Sequence, residues 1–352
     1  MDKFYLQIKK LSRTLDKITI PDDLKEKVEE TISRLEILSP TQVNLAEIDR
    51  VTRYLDWILT LPWDKKTSDI LDLAQTKKVL DHNHYGLTSI KERILEYLAV
   101  LSLKAKNQEE VLRAPILCFV GLVGTGKTTL AYSIAESMGR KFARIPFGGI
   151  GGAAQLRGHS KVYPDAEPGL VIKALVRTGV KNPVILLDEV DRVTEESRAD
   201  IMGVLVELLD PEQNAAFLDH YIDYPFDLSQ VLFVATANNT GNIATAVLDR
   251  LEVVGMPSYS DEEKITIGRN YLLPKTIVAA GLSANSIKIA AEVWPKIVRP
   301  LGYDAGMRSL ERTIEGICRK IAKMTVEGKL NPSSSKPAEI TTENVRNFLP
   351  AW

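Results

Sequence analysis

Gly121-Leu122-Val123-Gly124-Thr125-Gly126-Lys127-Thr128 decides the fold, because an apolar run over residues 115–120 leads into it and a helical pattern follows it. The stretch has the form G-x-x-x-x-G-K-[ST], the Walker A pattern, in the strand-to-helix setting that phosphate binding requires. Glycines let backbone N–H groups turn inward around an anion, and the helix that starts there adds the positive end of its dipole. Lys127 is placed to reach β and γ phosphates, and Thr128 offers a hydroxyl to Mg2+. Gly121, Gly124, Thr125, Gly126 and Thr129 complete the expected cradle. A dinucleotide fingerprint G-x-G-x-x-G is a poor rival, since Thr129 stands where its third glycine would be.

Downstream, Val184-Ile185-Leu186-Leu187 delivers Asp188 and Glu189 to the C-terminal end of a strand, the edge at which open α/β sheets bind ligands. Asp188 is expected to hold Mg2+, commonly through water, and Glu189 to polarise an attacking water. On either side, short apolar runs at 116–120, 142–145, 184–187, 231–235 and 251–254 alternate with helical periods. That alternation predicts a parallel sheet with helices on both faces.

Ahead of the sheet, Leu24, Val28, Ile32, Leu35 and Leu38 recur at helical spacing until Ser39-Pro40 breaks the run. A second stripe of Leu45, Ile48, Val51, Leu55 and Ile58 ends at Leu61-Pro62-Trp63, and Trp57 and Trp63 read as packing residues. Behind the sheet, Ser260-Asp261-Glu262-Glu263 is a capping box, and everything after it reads as helical by period. Leu310, Ile314, Ile317, Ile321 and Met324 mark the longest stripe there. Residues 329–336 read as a connector, and Thr341 or Thr342 as the cap of a last helix. The expected domains are a helical module over 1–70, an α/β nucleotide-binding domain over 71–256 and an all-helical small domain over 257–352.

Composition narrows the function classes. The 352 residues are 45% hydrophobic, enough for two or three cores. With 45 basic and 46 acidic residues the net charge is -1, which supplies no general attraction to DNA or to an anionic membrane. Cys118 and Cys318 read as small core residues of a protein in a reducing compartment. No run approaches the ~18 apolar residues of a membrane helix and no signal-peptide core follows Met1, so a cytoplasmic or organellar soluble protein is expected. His82, His84, His159 and His220 show no zinc spacing.

The strand that ends in Thr236-Ala237-Asn238, added to the two phosphate motifs, makes the chain resemble an AAA+ ATPase. More narrowly it resembles the ATPase module of a Lon-type ATP-dependent protease, over nearly its whole length. The resemblance is carried by Tyr54-Leu55-Asp56-Trp57, Leu61-Pro62-Trp63, His84-Tyr85-Gly86-Leu87, Arg157-Gly158-His159, Leu186-Leu187-Asp188-Glu189-Val190-Asp191 and Leu209-Asp210-Pro211-Glu212-Gln213-Asn214. Asp219-His220-Tyr221, Leu248-Asp249-Arg250 and Ala305-Gly306-Met307-Arg308-Ser309-Leu310-Glu311-Arg312 add to it.

The resemblance implies a P-loop AAA+ α/β fold with an N-terminal helical module and an all-helical lid, using ATP/ADP and Mg2+. It implies that Asn238 is the sensor that orients the lytic water, and that Arg250 is the finger that reaches the nucleotide of a neighbouring subunit. Arg308 matches the second sensor, which couples the lid to the nucleotide. Each arginine also has a plain reading as a surface ion pair. His84 and Tyr85 lie where such modules wrap adenine, or they simply pack. Tyr163 occupies the position of the aromatic pore-loop residue that grips polypeptide, or is an exposed loop tyrosine. ATP would sit between the α/β and lid domains of a homo-oligomeric ring, a hexamer by resemblance, that pulls unfolded or damaged polypeptide toward a proteolytic chamber.

Three departures stand out. Relatives read G-P-P-G where Leu122-Val123 replaces both prolines, which frees the loop backbone without removing a phosphate ligand. Relatives carry G-H-R-R-T-Y before a small residue and glycine, whereas this chain has Gly158-His159-Ser160-Lys161-Val162-Tyr163-Pro164-Asp165. Relatives also place G-D-P after the acidic pair, where Ala199-Asp200-Ile201 stands here. A catalytic serine and lysine domain would begin near Trp352, so no peptidase site is expected within these residues, and proteolysis would need a domain or partner beyond them. A stand-alone unfoldase, a nucleotide-gated scaffold with little turnover and, against its charge, a DNA-acting ATPase are the alternatives.

Overall fold

The computed structural model describes residues 2–37, 45–107, 115–299, 306–333 and 335–349. Leu38, the Ser39-Pro40 helix break, Ala305 and Trp352 therefore lie outside the described residues. The chain forms two compact units. One comprises residues 1–80, 89–120 and 128–254; the other comprises 81–88, 121–127 and 255–352.

The first unit opens with three helices, α1 (Asp2–Leu15), α2 (Asp22–Ile37) and α3 (Leu45–Thr60). Asp22 and Asp23 in the first turn of α2 and Arg34 in its last turn complement the helix dipole. Leu24, Val28, Ile32 and Leu35 pack with Leu55, Ile58 and Leu59 in one core, joined by Leu11 and Leu15 from α1. Each such residue withdrawn from water contributes roughly 1.5–3 kcal/mol. Trp63, just past α3, donates its indole N–H to the Ile58 carbonyl at 2.8 Å and packs on Tyr224 and Phe226, with ring centroids 5.8 and 5.1 Å away. It is a packing residue, as the usual behaviour of aromatics in cores leads one to expect.

Next come α4 (Leu73–Asn83), α5 (Thr88–Lys106), β1 (Ile116–Val120), α6 (Lys127–Ser137), β2 (Phe142–Pro146), α7 (Ala154–Arg157), α8 (Leu170–Thr178) and β3 (Val184–Asp188). They are followed by α9 (Arg198–Leu209), β4 (Phe217–Asp219), β5 (Tyr224–Phe226), β6 (Leu232–Ala237), α10 (Thr245–Leu248) and β7 (Leu251–Gly255). β2-β3-β6-β1-β7 is the strand order of the main sheet, with β2 parallel to β3, β3 to β6 and β6 to β1. β3 is buried along its whole length, which is why it reads as an unbroken apolar run and not as an alternation. Cys118 lies in this core, and burial pushes its thiol up to about 12. β4 and β5 form an antiparallel hairpin that the sequence reading did not anticipate.

The second unit holds α11 (Asp261–Ile267), α12 (Leu273–Ala279), β8 (Ile287–Ile289), α13 (Trp294–Val298), α14 (Arg308–Val326), β9 (Ala338–Ile340) and α15 (Val345–Phe348). The capping box is present: Ser260 accepts from the Glu263 N–H, and the Glu263 carboxylate accepts from the Ser260 N–H. Leu310, Ile314, Ile317 and Ile321 of α14 are buried around Trp294 and Ile297, with Met324 at the margin. Two expectations need correction. This segment is not helical throughout, because β8 and β9 pair in parallel through Ile287, Lys288 and Ile289 against Ala338, Glu339 and Ile340. Strands three residues long carry too little period to be seen. α15 is capped by neither threonine: Asn344 precedes it, and its side chain accepts from the Thr341 N–H instead. Among the described residues no helix is long and apolar enough to cross a membrane.

Candidate active site

The C-terminal ends of β3 and β6 gather the acidic half of the site within the first unit. Asp188 is only 3% exposed, and its carboxylate is filled by donors. Oδ1 accepts from the Thr236 hydroxyl at 2.5 Å and from the Thr128 hydroxyl at 3.3 Å. Oδ2 accepts from Arg144 Nε at 2.6 Å and lies 2.5 Å from a terminal nitrogen of the same guanidinium. A buried carboxylate persists as an ion only with partners of this kind. Thr128 and Asp188, sixty positions apart in sequence, thus lie within hydrogen-bond distance of each other.

Glu189 follows in a left-handed backbone conformation, φ 58°, which costs a side chain bearing a Cβ of order 1 kcal/mol. Its N–H donates to the Thr236 hydroxyl at 2.9 Å, so one threonine fixes both acidic residues. The bend turns the Glu189 side chain out of the strand, where Arg192 lies 3.6 Å from its carboxylate. Asp191 supplies the next layer, accepting from the Asn238 and Asn239 backbone N–H groups at 3.0 and 3.4 Å. It holds the turn after β6 that carries Asn238.

Arg250 follows α10 and is paired within its own chain: it lies 2.8 Å from Asp210 and donates to the Ala246 carbonyl at 2.8 Å. The guanidinium holds the Asp210 carboxyl below the usual carboxylate range. Tyr163 lies on the loop between α7 and α8 with 65% of its surface exposed.

The phosphate loop belongs to the second unit. Gly124 and Gly126 have φ of +83° and +95°, a region in which only glycine is unstrained, so the G-x-G-K spacing is a backbone requirement. Lys127 donates to the Gly121 and Leu122 carbonyls at 2.6 and 3.0 Å, and the Thr125 hydroxyl to Leu122 at 2.9 Å. Burial pushes the Tyr259 phenol up to about 12, and it donates to the Thr125 carbonyl at 3.3 Å. The start of α14 sits directly on this loop, with the Met307 N–H donating to the Gly124 carbonyl at 3.0 Å. A Cβ on Gly306 would fall 2.2 Å from the Val123 carbonyl oxygen. Arg308, the first residue of α14, is exposed. His84 is buried, and the half-exposed Tyr85 packs edge-on against Tyr271 at 6.4 Å.

The sequence reading assigned nothing to Arg144, Asp191 or Gly306. No signal in the sequence marks Arg144: within β2, Ala143 and Ile145 are buried while Arg144 stands on the more exposed face, as any polar strand residue would.

A parallel sheet of this order, with a glycine loop after β1, an acidic pair after β3 and a polar turn after β6, defines an ATPase of the AAA class. Residues 117–257 match the family profile described as ATPase family associated with various cellular activities, and the chain is accordingly a nucleotide-binding protein. Residues 278–334 match the Lon protease AAA+ ATPase lid domain. The chain is 44% identical over 343 residues to the Lon protease of Lawsonia intracellularis, covering 97% of this chain and 40% of that protein. It is 46% identical over 314 residues to the Lon protease of Clostridioides difficile, covering 89% and 39% respectively. To the Lon protease of Elusimicrobium minutum it is 41% identical over 348 residues, covering 99% and 40%. The chain thus carries an AAA ATPase domain followed by a Lon-type lid domain, and it spans about 40% of the length of the curated relatives it matches.

Proposed function

We propose that this chain binds ATP with Mg2+ and hydrolyses it, as the motor of a Lon-type assembly that unfolds and translocates polypeptide. The observation that carries the reading is the 3.3 Å approach of Thr128 to Asp188, which joins the residue ending the phosphate loop to the acidic strand end. A hydroxyl and a carboxylate are hard oxygen donors and fit Mg2+. Because Arg144, Thr236 and Thr128 already occupy the Asp188 oxygens, this carboxylate suits holding the metal through water. When bound, Mg2+ would neutralise charge on the β and γ phosphates.

In this reading Lys127 and the N–H groups of Gly124, Thr125, Gly126 and Thr129 bind phosphate, with Gly121 opening the loop. Glu189, aimed by its left-handed backbone, polarises the attacking water, and Asn238 orients that water. His84 and Tyr85 flank the base, and Arg308 reports nucleotide state to the lid. Arg250 serves a neighbouring subunit's nucleotide, which requires it to leave Asp210 on assembly into a ring, by family a hexamer. Tyr163, exposed at the tip of its loop, grips unfolded polypeptide. Helical module, nucleotide domain and lid are assigned to 1–70, 71–256 and 257–352. Peptide cleavage falls to a domain or partner outside these residues, and the cytoplasm is the proposed location.

The test is Glu189→Gln. Mg2+-dependent phosphate release should fall by at least about 10²-fold, the scale of a lost general base, while ATP affinity stays within a few-fold of wild type. Equal turnover in the variant contradicts the role given to Glu189.

A further inference from the structure

The loop that carries Tyr163 is tied to the N-terminal helices by Lys161. Lys161 places its ammonium 4.7 Å from the ring centroid of Tyr54 on α3, and 3.0 Å from the Asp223 carboxylate in the β4–β5 turn. A cation held over a ring face and against a carboxylate is fixed from two directions. The neighbouring carbonyl, that of Val162, accepts from Arg50, one turn earlier on α3, at 3.4 Å. Tyr54 is itself anchored: its hydroxyl donates to the Ile222 carbonyl at 3.1 Å, and its ring packs edge-on against Tyr221 at 6.0 Å.

The base of the loop is fixed separately. The fully buried Asp219 carboxylate accepts from the N–H groups of Gly169, Tyr221 and Ile222 at 2.7, 2.9 and 3.1 Å. The two residues beyond Lys161 stand out in solvent, Val162 at 73% and Tyr163 at 65% exposure.

We propose that Lys161 is a positioning residue: by bridging Tyr54 and Asp223 it docks the Tyr163 loop on α3, so the N-terminal helical module sets how the gripping ring is presented to polypeptide. The chemistry assigns Lys161 to the protein and not to the substrate, because its ammonium is directed at a ring and a carboxylate of its own chain. This inference rests on the proposed role of Tyr163. It adds that a residue of the N-terminal module governs polypeptide affinity without touching polypeptide.

The experiment measures binding of fluorescein-labelled casein to the whole chain by anisotropy in the presence of ATP and Mg2+, with phosphate release without casein measured in parallel. Lys161→Met and Tyr54→Leu should each weaken casein binding about 3- to 10-fold, the range expected when a cation–π contact and one charged hydrogen bond are lost. Their combination should weaken it no further than either alone. Lys161→Arg, which keeps a cation over the ring, should restore binding, and casein-free phosphate release should be unchanged in Lys161→Met. Hydrogen exchange supplies a readout apart from binding: the Tyr163 and Ala166 amides, which donate to Ser160 and Tyr163 carbonyls, should exchange faster in both single variants. Normal casein affinity in Lys161→Met, while Tyr163→Ala weakens it, overturns the positioning role and leaves the gripping role intact. Unchanged affinity in Tyr163→Ala overturns the gripping role itself. Fully additive losses from Lys161→Met and Tyr54→Leu also refute the proposal, since they make Lys161 a direct substrate contact.

Discussion

Arg144 and Glu189 show how single residues set the chemistry of the strand end. Asp188 is nearly inaccessible, and its charge is balanced by a guanidinium whose outer face is half exposed. Breaking a fully buried pair costs about 3–5 kcal/mol, but water can partly replace Arg144, which reduces the expected cost. Arg144→Met is therefore predicted to lower unfolding free energy by about 1–3 kcal/mol in urea titrations, the scale of one charge-assisted hydrogen-bonded contact. Loss of less than about 0.5 kcal/mol, the scatter of an ordinary surface change, would mean that Asp188 finds its counter-charge elsewhere. Glu189 carries the opposite kind of cost, a left-handed backbone tolerated because Thr236 holds its N–H. No propensity scale signals that turn, because the strain is imposed by the sheet end and not by the residue.

At the scale of elements, the parts that pattern could reach are those buried on one face or on both. The α2 and α3 stripes, the five central strands and the α14 stripe are legible because burial repeats at the period of the element. α1 is not read as a separate helix, although Leu11 and Leu15, one turn apart, join the core of α2 and α3. β4, β5, β8 and β9 escape because each is three residues long, and β8 and β9 are in addition held by a partner remote in sequence. The acidic pair and the phosphate loop are legible from spacing, while Arg144 is not, because the β2–β3 register that carries it to Asp188 is a tertiary fact. Leu55 of α3, fully buried in the core it shares with α1 and α2, tests the packing argument. Leu55→Ala should cost about 2–5 kcal/mol of stability, measured by denaturant unfolding, and a cost under about 1 kcal/mol would mean that this core can collapse around the gap.

For the whole molecule, the proposed ring makes activity depend on concentration. Arg250 spends its charge on Asp210 of its own chain, so a finger role requires exchange of that partner for a neighbour's phosphate. Phosphate release per chain should therefore rise steeply with protein concentration as assembly proceeds. Arg250→Ala should hold it about 10³-fold or more below wild type at every concentration, the low end of what arginine fingers contribute to phosphoryl transfer. Turnover that is independent of concentration and insensitive to Arg250 would confine that residue to the ion pair with Asp210.

The central claim is that the residues of the phosphate loop and the acidic strand end act on one triphosphate, with Thr128 beside Asp188 as the junction. Calorimetric titration of ATP with Mg2+ into wild-type chain and into Lys127→Ala tests it most directly. Saturable one-to-one binding by wild type, weakened by at least about tenfold in the variant as befits a lost charge-assisted phosphate contact, is the predicted result. No binding by wild type at millimolar ATP, or equal affinity in the two proteins, would contradict it.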